Sequence, residues 1–159
     1  MELGCRLVTI KDAEVMTLNR NRHRECFFHT HEVTLSETRN WIERISKKYD
    51  DFTYIIYEKP TGLDVAQFGV CDIVKNKDAE IVRILRYDEY KHYSLEFRDI
   101  CGEVLKNIGD VFDLKKIRAR VYPDNTKSIW FLESLGFEFV NTVDTGSLIY
   151  NEMELGVKK

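Results

Sequence analysis

The sequence predicts an α/β (α+β) fold: a single domain with a mixed, mostly antiparallel central sheet of about seven strands and helices on both faces. Three observations lead there. Between residues 52 and 86, three β-branched and aromatic runs are separated only by turn residues, the pattern of an antiparallel meander. The meander is followed by a helix and then a further strand, and a strand–helix–strand crossover makes the sheet mixed and covers both its faces. No repeat, low-complexity stretch or Pro/Gly-rich linker interrupts the 159 residues, so residues 1–159 are expected to form one domain. A chain of this size buries roughly 68–70% of its unfolded surface, enough for a core without metals or disulfides.

In chain order, Arg6–Ile10 reads as a short strand and Asp12–Asn19 as a helix carrying Ala13, Val15, Met16 and Leu18. Residues 21–33 have no clean period and read as a loop with a short helical piece. Thr34-Leu-Ser-Glu37 is a capping box, in which the threonine accepts from an early backbone amide and the glutamate reaches back. Leu35, Thr38, Trp41, Ile42, Ile45 and Tyr49 then mark one helical face. Phe52–Glu58, Val65–Val74 and Ala79–Arg86 are the meander strands, joined by Lys59-Pro-Thr-Gly62 and Lys75-Asn-Lys-Asp78. After the polar and aromatic residues 87–93 comes a helix with Phe97, Ile100, Cys101, Val104, Leu105 and Ile108 on one face. Lys116–Tyr122 alternates as a strand, and Thr126–Leu135 is a helix closed by Gly136. Phe137–Val143 and Ser147–Leu155 form a final hairpin.

Composition excludes several function classes. Lys+Arg at 24 against Asp+Glu at 27 gives a net charge of −3 with no long basic block, which argues against nucleic acid as a partner. No apolar run approaches the roughly 18 residues of a membrane span, and the first ten residues lack a signal-peptide pattern, so a cytoplasmic location is expected. Cys5, Cys26, Cys71 and Cys101 are widely spaced and suggest neither a zinc site nor a disulfide framework. His29-Thr-His31 lacks a third ligand at useful spacing, and no metal is expected.

The segment Asn125-Thr-Lys-Ser128-Ile-Trp-Phe-Leu132-Glu-Ser-Leu-Gly136-Phe137 resembles the N-x-x-S-x-x-x-L-E-x-L-G-F segment of GNAT-superfamily N-acetyltransferases. It is most similar to the branch that acetylates ribosomal-protein N-termini and to related amino-sugar N-acetyltransferases. Arg6-Leu-Val-Thr-Ile-Lys-Asp12-Ala13-Glu14, Asn19-Arg20-Asn21, the helix carrying Trp41 and Ala79-Glu80-Ile81 follow in the order of that branch. The resemblance implies acetyl-CoA as cosubstrate, lying in a V-shaped opening between Ala79–Arg86 and Lys116–Tyr122. Backbone groups of Ile84, Leu85 and Arg86 would hold the pantetheine arm. The following loop and helix start, with Lys91, His92, Tyr93, Ser94 and Leu95, would hold the pyrophosphate, as exposed amides at a helix start favour anions. The family builds this loop as R/Q-x-x-G-x-G/A. Here Lys91-His-Tyr-Ser94-Leu-Glu96 stands in its place, and a carboxylate at Glu96 beside the pyrophosphate would repel it.

Attack of an amine on a thioester needs a neutral amine, hence a base. Glu80, at the family's Ala-Glu-Ile position, is the candidate; the alternative is a solvent-facing strand carboxylate. Asn125 caps its helix and the resemblance adds a cofactor contact, while Ser128 either reaches a phosphate or pantetheine group or is solvated. Leu132 occupies the place where many relatives carry a tyrosine acid, and Tyr150 and Tyr93 are substitutes by type only. By analogy Arg20, Asn21 and Arg24 border the acceptor, with a solvated basic turn as the alternative. Trp41 and Trp130 are expected in the core, although Trp130 could flank the cleft. The expected function is therefore acetyl transfer to a primary amine (a protein N-terminus or an amino sugar) by a monomer or homodimer. The alternative is a GNAT-like binding module whose phosphate loop has degenerated.

Overall fold

Strands rich in aromatic and β-branched residues have a two-residue period, which gives the sheet two differently packed faces. The computed structural model describes residues 2–87 and 94–157. Its seven strands are β1 (Leu3–Leu7), β2 (Phe52–Glu58), β3 (Asp64–Val74), β4 (Asp78–Arg86), β5 (Lys116–Val121), β6 (Glu138–Asp144) and β7 (Ile149–Gly156). They form one sheet in the order β1-β2-β3-β4-β5-β7-β6. Only β4 and β5 pair in parallel; the other neighbours are antiparallel, so the expected mixed sheet is present. The helices are α1 (Ala13–Arg22), α2 (Leu35–Ser46), α3 (Ser94–Val111) and α4 (Thr126–Ser134).

Adjacent residues of β2 show how the faces divide. Ile56, with Phe68, Val70, Ala79 and Ile117, packs against Phe97 and Leu105 of α3 and Leu132 of α4. Ile55 points the other way, into a smaller cluster with Ala13, Met16 and Ile42 of α1 and α2. The capping box forms as expected at the start of α2: the Glu37 amide donates to Thr34 Oγ1 (3.1 Å) and the Thr34 amide donates to Glu37 Oε1 (3.3 Å). Gly136 has φ +101, the left-handed conformation that ends α4.

Several boundaries and core assignments differ from expectation. The first strand is Leu3–Leu7, not Arg6–Ile10. Asp12 accepts from the Thr9 amide (2.7 Å) and from the Arg6 guanidinium (2.7 and 2.9 Å), which turns Ile10–Asp12 into a short 3-10 turn instead of strand. Consequently α1 begins after it and buries Ala13, Met16 and Asn19, leaving Val15 and Leu18 exposed because α1 has one covered side only. Tyr49 lies beyond the end of α2 and is exposed, and Trp130 is 70% exposed on α4 instead of in the core.

Candidate active site

The parallel pairing of β4 with β5 is short. It joins Asp78, Ala79 and Glu80 to Lys116, Ile117 and Arg118, and no further pairs follow among the described residues. Beyond Glu80, β4 stays with β3 while β5 turns to pair with β7 along its whole length. The strands therefore separate as a V, and the Ile81–Arg86 edge of β4 faces the gap. A cavity of about 1060 Å³ runs through this gap, lined on one side of the sheet by Arg20, Phe27 and Trp41 and on the other by Asn125, Ser128 and Leu132.

A local distortion of β4 shapes one wall. Arg83 has φ +56, and the β3–β4 register shifts between Gln67 and Gly69. Such a left-handed residue in a strand marks a bulge that re-aims its side chain. The Arg83 guanidinium lies over the Trp41 ring at 5.0 Å and bonds Asp51 at 2.6 Å. It crosses Gly69 so closely that a Cβ there would meet Nη2 at 2.6 Å, so any side chain at that position would push the guanidinium aside.

The apex of the V is charged. Glu80 is 4% exposed, so it is not the solvent-facing strand carboxylate of the alternative reading. Its Oε2 accepts from Arg120 Nε at 2.9 Å, and its Oε1 lies 3.5 Å from Arg118 Nη1. Arg118 also donates to Asp78 at 3.1 Å. Burial works against the charge of Arg120, but the bond and the attraction to Glu80 outweigh it and its pKa lies above the ordinary value. The same guanidinium is 5.4 Å from the Phe28 ring centre and 5.6 Å from that of Tyr150. The pairing had a signal in the sequence: Asp78-x-Glu80 and Arg118-x-Arg120 are opposite charges at the same strand period.

On the expected cofactor side, Ile84 lines the cavity, Leu85 is buried and Arg86 ends β4 opposite Ala66. Lys91, His92 and Tyr93 lie outside the described residues. Ser94 is the first residue of α3, and Leu95 is 68% exposed on its first turn. Glu96 corrects the expectation of a repelling carboxylate at the phosphate. Its Oε2 accepts from the amides of Glu2 (3.0 Å) and Leu3 (3.2 Å), so it ties α3 to the start of β1. Asn125 Oδ1 accepts from the Ser128 amide at 3.3 Å, the expected cap, and both residues border the cavity. Leu132 also borders it and is buried.

The three acceptor candidates do not stay together. Arg20 lines the cavity, its guanidinium stacked on Phe27 at 4.2 Å and donating to the His29 carbonyl. Burial first, and then the charge of Arg24, hold its pKa below the ordinary value. Asn21 is instead occupied by structure: its Nδ2 donates to the Val33 carbonyl and its Oδ1 accepts from the Val33 amide, both at 2.8 Å. Arg24 pairs with Glu32 at 4.0 Å on the surface and is not among the cavity residues. His29 and His31 border the cavity with ring centres 6.4 Å apart. No group of three His, Cys, Asp or Glu residues suited to a metal occurs among the described residues. Phe28 and Tyr122, edge-on at 4.9 Å, form an aromatic element that the aperiodic loop sequence did not reveal.

Solved structures with this fold are numerous. A spermidine N-acetyltransferase from Vibrio cholerae, in complex with CoA and spermine, superposes with a TM-score of 0.81 at 15% identity, covering 98% of this chain and 95% of that one. A domain from Methanocaldococcus jannaschii DSM 2661 gives 0.79 at 21% identity, covering 98% of each chain. No functionally curated protein sequence matches this chain significantly. The family model of the acetyltransferase (GNAT) domain matches residues 2–138, which takes in both walls of the V and all of α4. The chain thus belongs to the GNAT acetyltransferases, acyl-CoA N-acyltransferases that use acetyl-CoA as cosubstrate.

Proposed function

We propose that this protein transfers the acetyl group of acetyl-CoA to a primary amine by direct attack, with Glu80 receiving the amine proton. The observation that carries this reading is the cavity through the β4–β5 gap with a buried carboxylate at its apex. The amine nitrogen forms a bond to the thioester carbonyl carbon, the carbon–sulfur bond breaks, and the CoA thiolate leaves and takes up a proton. A carboxylate offers about four lone-pair sites. Arg118 and Arg120 leave Glu80 with acceptor capacity toward the cavity while fixing its orientation.

A covalent route through Cys71, which also borders the cavity, is disfavoured. Burial pushes its thiol up to about 12, and the thiolate is the nucleophilic form. The acceptor belongs with small amines or peptide N-termini of the kind expected from sequence: a protein N-terminus or an amino sugar. The spermidine N-acetyltransferase with this fold acts on a polyamine, but at 15% identity its acceptor does not transfer. The degenerate-module alternative loses one of its grounds, since Glu96 is bonded to β1.

Acetyl-CoA at a hundred times its Kd should raise stability by about 2.7 kcal/mol. A thermal melt showing no shift at millimolar acetyl-CoA would refute the reading. Glu80→Gln should lower kcat at least tenfold with a smaller change in acetyl-CoA affinity; unchanged turnover would remove Glu80 as the proton acceptor.

A further inference from the structure

We propose that the acceptor amine carries an anionic group, a carboxylate or a phosphate, and that Arg20 binds it. This rests on the acetyl-transfer reading and names the substrate class of that same site.

The arginines and carboxylates of the cavity wall are unbalanced: Arg20, Arg44, Arg83 and Arg120 stand against Glu37 and Glu80. Two of the four arginines are neutralised within the protein, Arg83 by Asp51 at 2.6 Å and Arg120 by Glu80 at 2.9 Å. Glu37 is committed to the Thr34 amide. That leaves Arg20 and Arg44 as cations with no acidic partner among the described residues. Arg44 is exposed, so water solvates it. Arg20 is different. Its Nη2 is used by the His29 carbonyl and one face by the Phe27 ring, while Nη1 is shielded from water and has no partner.

A partly desolvated guanidinium with an unused donor is expensive to keep, and the expense falls when an oxyanion in the cavity that Arg20 lines displaces the cover over Nη1 and takes the donor. Arg presents its donors in a planar fork that matches carboxylate and phosphate oxygens. Stacking on Phe27 holds the plane of that fork fixed, so little freedom is lost when an oxyanion binds. The same wall disfavours a polyamine, whose remaining ammonium groups would meet uncompensated arginines with no free carboxylate among the cavity residues to receive them.

The test titrates inorganic phosphate and succinate separately into the full-length protein already saturated with acetyl-CoA, so that the cofactor's own phosphate site is filled. Failure to saturate with acetyl-CoA would refute acetyl transfer itself and is scored separately. In the loaded protein at least one of the two anions should bind, and Arg20→Gln should weaken that binding at least tenfold. Glutamine keeps a donor for the His29 carbonyl, and an unchanged acetyl-CoA melting shift shows that the variant is folded. Phosphate alone binding assigns a phosphate-bearing amine, and succinate alone a carboxylate-bearing one. Arg20→Glu should in addition reverse preference, raising kcat/KM for spermidine relative to glucosamine 6-phosphate and γ-aminobutyrate. Neither anion binding, equal binding by wild type and Arg20→Gln, or wild-type preference for spermidine over both anionic amines would overturn the proposal.

Discussion

The helices that share the larger core, α3 and α4, start in different ways. At α4 the cap is local: Asn125 accepts from an amide three residues ahead, the Ser128 amide of the same N-x-x-S segment. At α3 the comparable polar group reaches across the molecule. Glu96 accepts from Glu2 and Leu3, more than ninety residues away in sequence. A departure from the family's loop pattern therefore has to be judged by where its side chain goes, as the charge of Glu96 alone predicts repulsion where the fold has made a tie.

Replacing Glu96 should break that contrast most visibly. Glu96→Ala leaves two amides at the start of β1 without their acceptor, and should cost about 2 kcal/mol in chemical denaturation, since bonds to a charged group exceed the usual 1 kcal/mol. Acetyl-CoA affinity, measured by titration, should change by less than about threefold, or under about 0.7 kcal/mol. A gain of tenfold or more in affinity with unchanged stability would mean that the carboxylate does repel the pyrophosphate. At α4 the effect should be smaller. Asn125→Ala should cost about 1 kcal/mol, and Asn125→Asp or Asn125→Ser should recover most of it. If the alanine variant loses acetyl-CoA affinity while keeping its stability, Asn125 is a ligand contact first and a cap second.

The difference between the two helix starts also marks how much was legible in the sequence. Strands β2, β3 and β4 were readable because their β-branched and aromatic runs end at turn residues. The α2 capping box and the Asn125 cap were readable because donor and acceptor lie within three residues of each other. The failures are of another kind. Leu7-Val8-Thr9-Ile10 has strand propensity and puts the expected first strand three residues late, whereas pairing with β2 and the Asp12 bonds decide where the strand stops. The environment of Glu80 was invisible locally, since Arg118 and Arg120 approach from another strand some forty residues on. The apolar neighbours of Trp130 predict a core position, but α4 turns it outward. Of the acceptor residues, Arg20 borders the cavity, whereas Asn21 is consumed in holding Val33 and Arg24 sits outside. Chain periodicity cannot separate three polar residues on one turn and loop by what each of them touches.

A third helix start combines local and longer anchors, and its signature is a pH dependence. Asp12, just before α1, is buried, which alone would raise its pKa; the Arg6 bond, the Thr9 amide and the Arg6 charge outweigh burial and hold the carboxyl below its ordinary range. A carboxyl depressed on folding stabilises the native state above its unfolded pKa of about 3.9, and that stability is lost as pH falls through the folded value. Asp64, on the other side of Arg6 at 3.2 Å, shifts the opposite way, because burial there exceeds the attraction of Arg6. It opposes folding at neutral pH, and acid relieves that cost. The net acid effect is therefore the difference of two contributions and the smallest of those expected. Denaturant unfolding of wild type and Asp12→Asn from about pH 7 to about pH 3 isolates the Asp12 contribution. The stability gap between the two proteins should hold down to about pH 4 and narrow below, because protonation removes from the wild type what the substitution has already removed. A gap of constant size across the range would mean that the Arg6–Asp12 pair contributes through its shape and hydrogen bonds alone, which would make the start of α1 resemble the neutral cap of α4 more than the charged tie at α3.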